Sequence, residues 1–293
     1  MSVTEALGTQ KEVSLAQGTI SYRERGSGET LLFIHGFLVN GDLWHKVVPV
    51  LSQNFHCIVP DLPLGSHVRG CNPEANLTPD GLARLISDFI TALDLNDVTL
   101  VANDTGGALS QIVITRYPQR IKRLVLTNCD AFENFPPPVF YPLLWTGWIP
   151  GGVYIIGQLL RLGLTRKALL SLLAKKAVEP EILDSFLQPL ATNSATRYDT
   201  AKILRGISNR YTKEAARKFS EFRYPVLLVW GLNDPFFSPR YAERLRLAFT
   251  NVQLEYLKDA RCFVSEDQPE QLVASIESFM NRDREIAFAK EAP

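Results

Sequence analysis

The sequence is short of the features that mark several classes of protein. Lysine plus arginine equals aspartate plus glutamate at 31 each, so the formal net charge is zero. There is no basic tract and no acidic tail, which argues against nucleic acid as a partner. No uninterrupted apolar run approaches the roughly 20 residues that a membrane span requires. The most apolar region, Pro142 to Leu164, is broken by Pro150, Gly151 and Gly152 and charged by Arg161. It reads as a buried or lid helix rather than a membrane-surface element. The amino-terminal MSVTEALGTQKEV has no basic start, apolar middle or cleavage site, so it is not read as a secretory signal. Cys57, Cys71, Cys129 and Cys262 are scattered without a C-x-x-C pair. Reduced thiols in a cytoplasmic protein are therefore expected, not a disulfide frame or a zinc site. No G-x-G-x-x-G, P-loop or His/Cys cluster occurs, so neither a cofactor nor a metal is expected. Histidine is also scarce, and none follows His67.

What is present is an ordinary globular composition in a chain of 293 residues, enough for a substantial core. Short apolar, β-branched runs alternate with helical patterns. EVSLAQGTISYRERG reads as a hairpin turning at Gln17-Gly18, and LLFIH and FHCIVP read as strands. DLWHKVVPVLSQ reads as helical. Thr78 and Pro79 open a helix with Ile86, Phe89, Ile90 and Leu93 on one face. VTLVAN, IKRLVLTN, YPVLLVWG and VQLEYLKD are further strands; GGALSQIVITRYP, a stretch from Ser238 and PEQLVASIESFM are helices. The charged tail from Asn281 reads as loose. The alternation predicts an α/β fold with a mostly parallel sheet flanked by helices and right-handed crossovers. It lapses from Ala131 to Arg223, where Pro136-Pro137-Pro138 leads into helical segments. This gives a core of residues 1–130 and 224–293 with a helical cap, 131–223, inserted over one end of the sheet. In open sheets of this kind the site lies at the carboxyl ends of the strands.

The residues with chemistry fall on those loops. In VANDTGGALSQ a strand turns sharply into a helix at Asp104, with Ala102 and Gly106 two residues to either side. Small neighbours at that spacing are what a strained nucleophile turn needs, and the helix amino terminus beside it favours negative charge. A plain aspartate N-cap remains the alternative. His35-Gly36-Phe37 ends another strand, and its glycine lets a backbone N–H turn toward a pocket. Phe37 and Thr105 are the candidate donors of an oxyanion hole, with His35 holding the loop. Asp234 follows a strand and a glycine turn in LLVWGLNDPFFSP, where an orienting acid would sit.

Taken together, His35-Gly36-Phe37, the turn around Asp104, WGLND and FVSEDQPEQL resemble the α/β-hydrolase fold superfamily over nearly the whole chain. An aspartate at the turn resembles its haloalkane dehalogenase and epoxide hydrolase branch. The resemblance implies an alkyl-enzyme ester formed at Asp104 and a histidine, oriented by an acid, that activates water to hydrolyse it. It implies Asp234 as that acid, with Asp130 as the alternative. It also sets Cys262, in RCFVSEDQP, at the position of the histidine. A thiol is neutral near its ordinary pKa of about 8.5 and has one proton site instead of two; a Cys262 thiolate aided by Arg261, or His67 reaching in from its loop, would be the substitutes. The tryptophan expected after a dehalogenase nucleophile and the asparagine after His-Gly are Thr105 and Phe37 here. Tyr141, Tyr154, Tyr198 and Tyr211 of the insertion are candidate acids for epoxide opening, or packing residues. Trp145, Trp148, Phe236 and Phe237 are candidates to line an apolar substrate pocket, together with Tyr141 and Tyr198, or to be plain core. Three functions stay open: an Asp104 nucleophile enzyme acting on a small apolar molecule, a non-hydrolytic acid–base enzyme (lyase, isomerase or cyclase), and a silent ligand-binding protein.

Overall fold

The computed structural model describes the backbone of residues 3–291 and side chains from 5 to 282. Eight strands form one sheet: β1 (Thr9–Leu15), β2 (Gly18–Arg25), β3 (Thr30–Ile34), β4 (His56–Pro60), β5 (Val98–Asp104), β6 (Ile121–Cys129), β7 (Val226–Gly231) and β8 (Val252–Leu257). Their order is β1-β2-β4-β3-β5-β6-β7-β8. The β1–β2 and β2–β4 pairings are antiparallel and all others parallel. Helices α1 (Pro79–Ala92), α2 (Thr105–Arg116), α9 (Pro239–Ala248) and α10 (Pro269–Glu291) flank the sheet. Strands β3, β5, β6 and β7 are almost wholly buried, as parallel strands covered on both faces must be. That explains their continuous apolar runs.

Local detail departs from the sequence reading in three places. The hairpin turns at Ala16-Gln17, with Gly18 already paired to Leu15 as the first residue of β2. DLWHKVVPVLSQ is two short pieces, Gly41–Trp44 and Val48–Leu51, because Pro49 can only start a helical turn. The tail expected to be loose is helical through Glu291; Ala292 and Pro293 lie outside the described residues. Elsewhere the signals hold. Thr78 caps α1 by accepting from the Gly81 N–H, and Ile86, Phe89 and Ile90 are buried.

Between β6 and β7 lie α3 (Tyr141–Thr146), α4 (Gly152–Leu159), α5 (Gly163–Leu173), α6 (Pro180–Thr192), α7 (Ser194–Gly206) and α8 (Asn209–Ala216). The last of these leans on the sheet's own helix α2, and Arg116 ties it there through Glu214 at 2.8 Å. No helix among the described residues is long and apolar enough to cross a membrane.

Candidate active site

Asp104 is the last residue of β5 and the cap of α2, with φ 55° and ψ −130°. A side chain in that sparsely populated region costs about 1–3 kcal/mol and persists only where its surroundings enforce it. The surroundings here are close. A Cβ on Gly36 would lie 2.5 Å from the Asp104 Cβ, and one on Gly106 would lie 2.4 Å from the His35 carbonyl. Only glycine lets the His35-Gly36 loop meet the turn.

The carboxylate is held by one oxygen. Asp104 Oδ1 accepts the Phe37 N–H at 3.1 Å and the Thr105 N–H at 2.5 Å. Oδ2 takes neither; Cys262 Sγ donates to it at 3.8 Å. His35 fixes the loop that carries Phe37. Its Nε2 accepts the Leu62 N–H at 2.8 Å, which leaves the proton on Nδ1, 2.9 Å from the Gly36 carbonyl. Burial lowers His35 to about 4, so the ring is neutral. Asp104 is partly exposed and lines the cavity above it. Burial raises its pKa against the pull of the Thr105 and Phe37 donors.

Both candidate acids are buried nearby. Asp234 Oδ1 accepts the N–H groups of Phe236 and Phe237, and Oδ2 accepts Asn128 Nδ2 at 2.9 Å. Burial still raises it to about 6. Asp130 Oδ2 accepts from Thr105 Oγ1 at 3.2 Å, while its Oδ1 has no partner. Burial, then the charge of Asp104, pushes Asp130 well above the carboxylate range. Cys262 sits among these groups with no exposure. Burial first, then the charges of Asp104, Asp234 and Asp130, keeps its thiol protonated. The thiolate considered from the sequence is therefore disfavoured, and Arg261 does not rescue it, since its side chain lines a different cleft. Asn103, which the sequence reading passed over, ties the site together. Its Nδ2 donates to Thr127 Oγ1, the Asn128 carbonyl and the Cys262 carbonyl. A second polar residue directly before Asp104, at the end of a mostly apolar strand, was its only signal.

Above Asp104 lies a cavity of about 280 Å³. Of the side chains that line it, only Asp104, Thr105 and Asp130 are polar. The rest of the wall is apolar, with Leu143, Leu170, Leu173 and Leu183 of the inserted helices facing Phe186 and Phe263. The aromatic residues proposed for this role are elsewhere. Trp145, Trp148, Tyr141 and Tyr198 do not line the cavity and are 68%, 69%, 44% and 53% exposed. Trp148 lies under Arg205 and Tyr198 near Lys202 on the outer face. Phe237 is core, with Trp230 Nε1 donating to its carbonyl, and Phe236 stands one layer back, against the cavity residue Phe140 at 4.9 Å. Tyr154 is exposed and Tyr211 buried, and neither lines the cavity. The walls come instead from leucines of amphipathic helices, which in sequence look the same as core leucines.

No histidine reaches the site. His67 is buried against Asp199 at 3.2 Å, His45 lies beside Glu266, and His56 pairs with Glu24. The four cysteines are unpaired, and no cluster suited to a metal ion occurs among the described residues.

The turn at Asp104 sits at the carboxyl end of a central parallel strand. The chain belongs to the alpha/beta hydrolase fold family, whose model matches residues 29–269. Among curated proteins it is similar to a cis-3-alkyl-4-alkyloxetan-2-one decarboxylase of Shewanella oneidensis, 26% identical over 92% of this chain and 87% of that protein. It is equally similar to haloalkane dehalogenase 2 of Mycobacterium tuberculosis, 26% identical over 89% of this chain and 91% of that one. A crystal structure of an ancestral haloalkane dehalogenase shares the fold at a TM-score of 0.77 and 22% identity, covering 93% of this chain and 98% of that one.

Proposed function

We propose that the chain is an enzyme in which Asp104 Oδ2 attacks a saturated carbon of a small apolar molecule, and that product leaves without the activation of water. The observation that carries this reading is a thiol, not an imidazole, 3.8 Å from the free oxygen of a carboxylate whose other oxygen is fixed by two N–H donors. The fixed oxygen becomes the ester carbonyl when Oδ2 bonds carbon. The Phe37 and Thr105 donors then hold that carbonyl and align Oδ2 with the cavity. Attack requires the ionised carboxylate, and the apolar cavity strips its water and sharpens its reactivity. Hydrolysis of the resulting ester would need a base, and a buried neutral thiol supplies none.

The chemistry that suits such a site ends in elimination. In a dialkyl oxetan-2-one, the substrate in the Shewanella relative's name, Oδ2 displaces the ring oxygen from its alkyl carbon. The ring C–O electron pair becomes a carboxylate. The C–C bond to that carboxylate then breaks, its electrons form the alkene, and the C–O bond to Asp104 breaks. Carbon dioxide leaves and the Asp104 carboxylate returns. No water, proton donor or base takes part, so the absence of histidine is no defect. Similarity to haloalkane dehalogenase 2 favours a second reading, displacement of halide, for which this site would stop at the ester.

The test is turnover of a cis-3,4-dialkyl oxetan-2-one in water labelled with oxygen-18. Alkene and carbon dioxide, lost in Asp104→Asn, are expected. A labelled β-hydroxy acid as the main product would contradict the proposal. Unchanged ligand binding in Asp104→Asn with no turnover in the parent would favour a binding protein.

A further inference from the structure

The cavity over Asp104 offers a bound molecule almost no polar partner besides the reacting residues. Any polar end of the substrate must lie outside it. Directly beyond Leu170 and Leu183, which wall both spaces, is a second cleft of about 600 Å³ between α5, the start of α6 and Arg261. Its lining carries five basic side chains, Arg166, Lys167, Lys175, Lys176 and Arg261, against one acid, Asp184. That acid is taken by Arg166 at 2.6 Å, and Lys175 is taken by Asp259 at 2.7 Å. The buried Asp267 makes no ion pair with the others; it accepts the backbone N–H groups of Lys175, Lys176 and Arg261 and so anchors the backbone that carries them around the cleft. Arg261 Nε is buried and has no hydrogen-bond partner. A buried guanidinium N–H without an acceptor is costly, and the cleft that Arg261 lines holds no free acid to offset its charge.

We propose that this cleft binds the anionic end of an amphiphile whose apolar chain passes between Leu170 and Leu183 into the cavity over Asp104. Arg261 and Lys176 hold the anionic group, and the leucine wall holds the chain. The inference rests on the apolar cavity being the substrate pocket, and it adds to the apolar substrates of that pocket those that carry an anionic group remote from the reacting carbon.

Calorimetric titration of the full chain with dodecanoate, dodecyl phosphate and dodecanol, each below its aggregation threshold, tests it. At least one anion should bind about tenfold or more tightly than the alcohol, and the phosphate and carboxylate arms show which head is preferred. Arg261→Ala with Lys176→Ala should close that gap while leaving dodecanol unaffected. In the parent, rising salt should weaken the anions only, a readout that survives if the double variant misfolds. Equal binding of anion and alcohol, binding of none, or a gap insensitive to both the variant and salt would overturn the proposal. Repeating the titration in Asp104→Asn separates it from the chemistry. A site that binds anions but never alkylates refutes only the nucleophile, and one that alkylates but ignores charge refutes only this inference.

Discussion

Asp234 is held in the folded protein against its charge, and this can be measured. Its pKa rises from 3.8 to about 6 despite three hydrogen-bond donors. The folded state therefore binds this proton more tightly than the unfolded chain. A gap of about two units corresponds to ~3 kcal/mol. That stabilisation is full below about pH 4 and is lost as pH rises through about 6. Asp234→Asn cannot ionise and loses this dependence. Its amide oxygen can keep the Phe236 and Phe237 N–H groups, but its NH₂ then faces Asn128 Nδ2. Asn128 cannot turn, because its own Oδ1 accepts the Gly231 N–H. The variant thus carries a roughly constant cost of about 1–3 kcal/mol from the opposed donors. Stability relative to the parent should therefore shift by ~3 kcal/mol in favour of the variant between about pH 4 and about pH 8, equivalent to roughly 5 °C in a chain of this length. Thermal unfolding of both proteins followed by circular dichroism across that range reads the difference directly, with all other titrating groups common to both. A difference that stays flat with pH would refute the reasoning.

Asp130 lines the cavity with an unpartnered oxygen and a strongly raised pKa, so it can give the proton that an opening epoxide requires, whereas a halide leaves as a stable anion and takes at most a hydrogen bond. Asp130→Asn should slow labelling of Asp104 by epoxides at least ~100-fold while changing labelling by alkyl halides only a few-fold; equal slowing of both would show a structural role only. Gly36→Ala places a methyl 2.5 Å from the Asp104 side chain. It should abolish labelling and destabilise by about 1–3 kcal/mol, seen as a lower denaturation midpoint. Trp148→Ala removes an exposed ring beneath Arg205; the expected cost is below ~1 kcal/mol, with the labelling rate unchanged. A marked loss of labelling would return Trp148 to the pocket.

The parts of this molecule legible in its sequence are those governed by local rules. Buried parallel strands show as unbroken apolar runs, and the small residues around Asp104 mark a turn that tolerates nothing larger. The Phe37 and Thr105 N–H groups converge where that turn meets the glycine loop, and both donate to Asp104 Oδ1. The cavity wall was illegible for a physical reason. A leucine at helical spacing buries itself equally well against the core or around a cavity, and only tertiary packing decides which. Trp145 and Trp148 invited the wrong choice because large aromatics usually avoid water, whereas here they cover the outer face of the insertion. Arg261 drew notice only as a neighbour of Cys262, although the chain bends at Cys262 before the helical turn Val264–Asp267. Cys262 lies against Asp104, and Arg261 lines the basic cleft.

The measurement closest to the central claim is the intact mass of the protein after exposure to a short-chain alkyl halide, taken for the parent, Asp104→Asn and Cys262→His. The parent should gain one alkyl group on Asp104 and keep it, Asp104→Asn should gain nothing, and Cys262→His should clear the group with turnover. A parent that takes up no alkyl group from a broad panel, or that sheds it as alcohol while an oxygen from labelled water enters Asp104, would contradict the account.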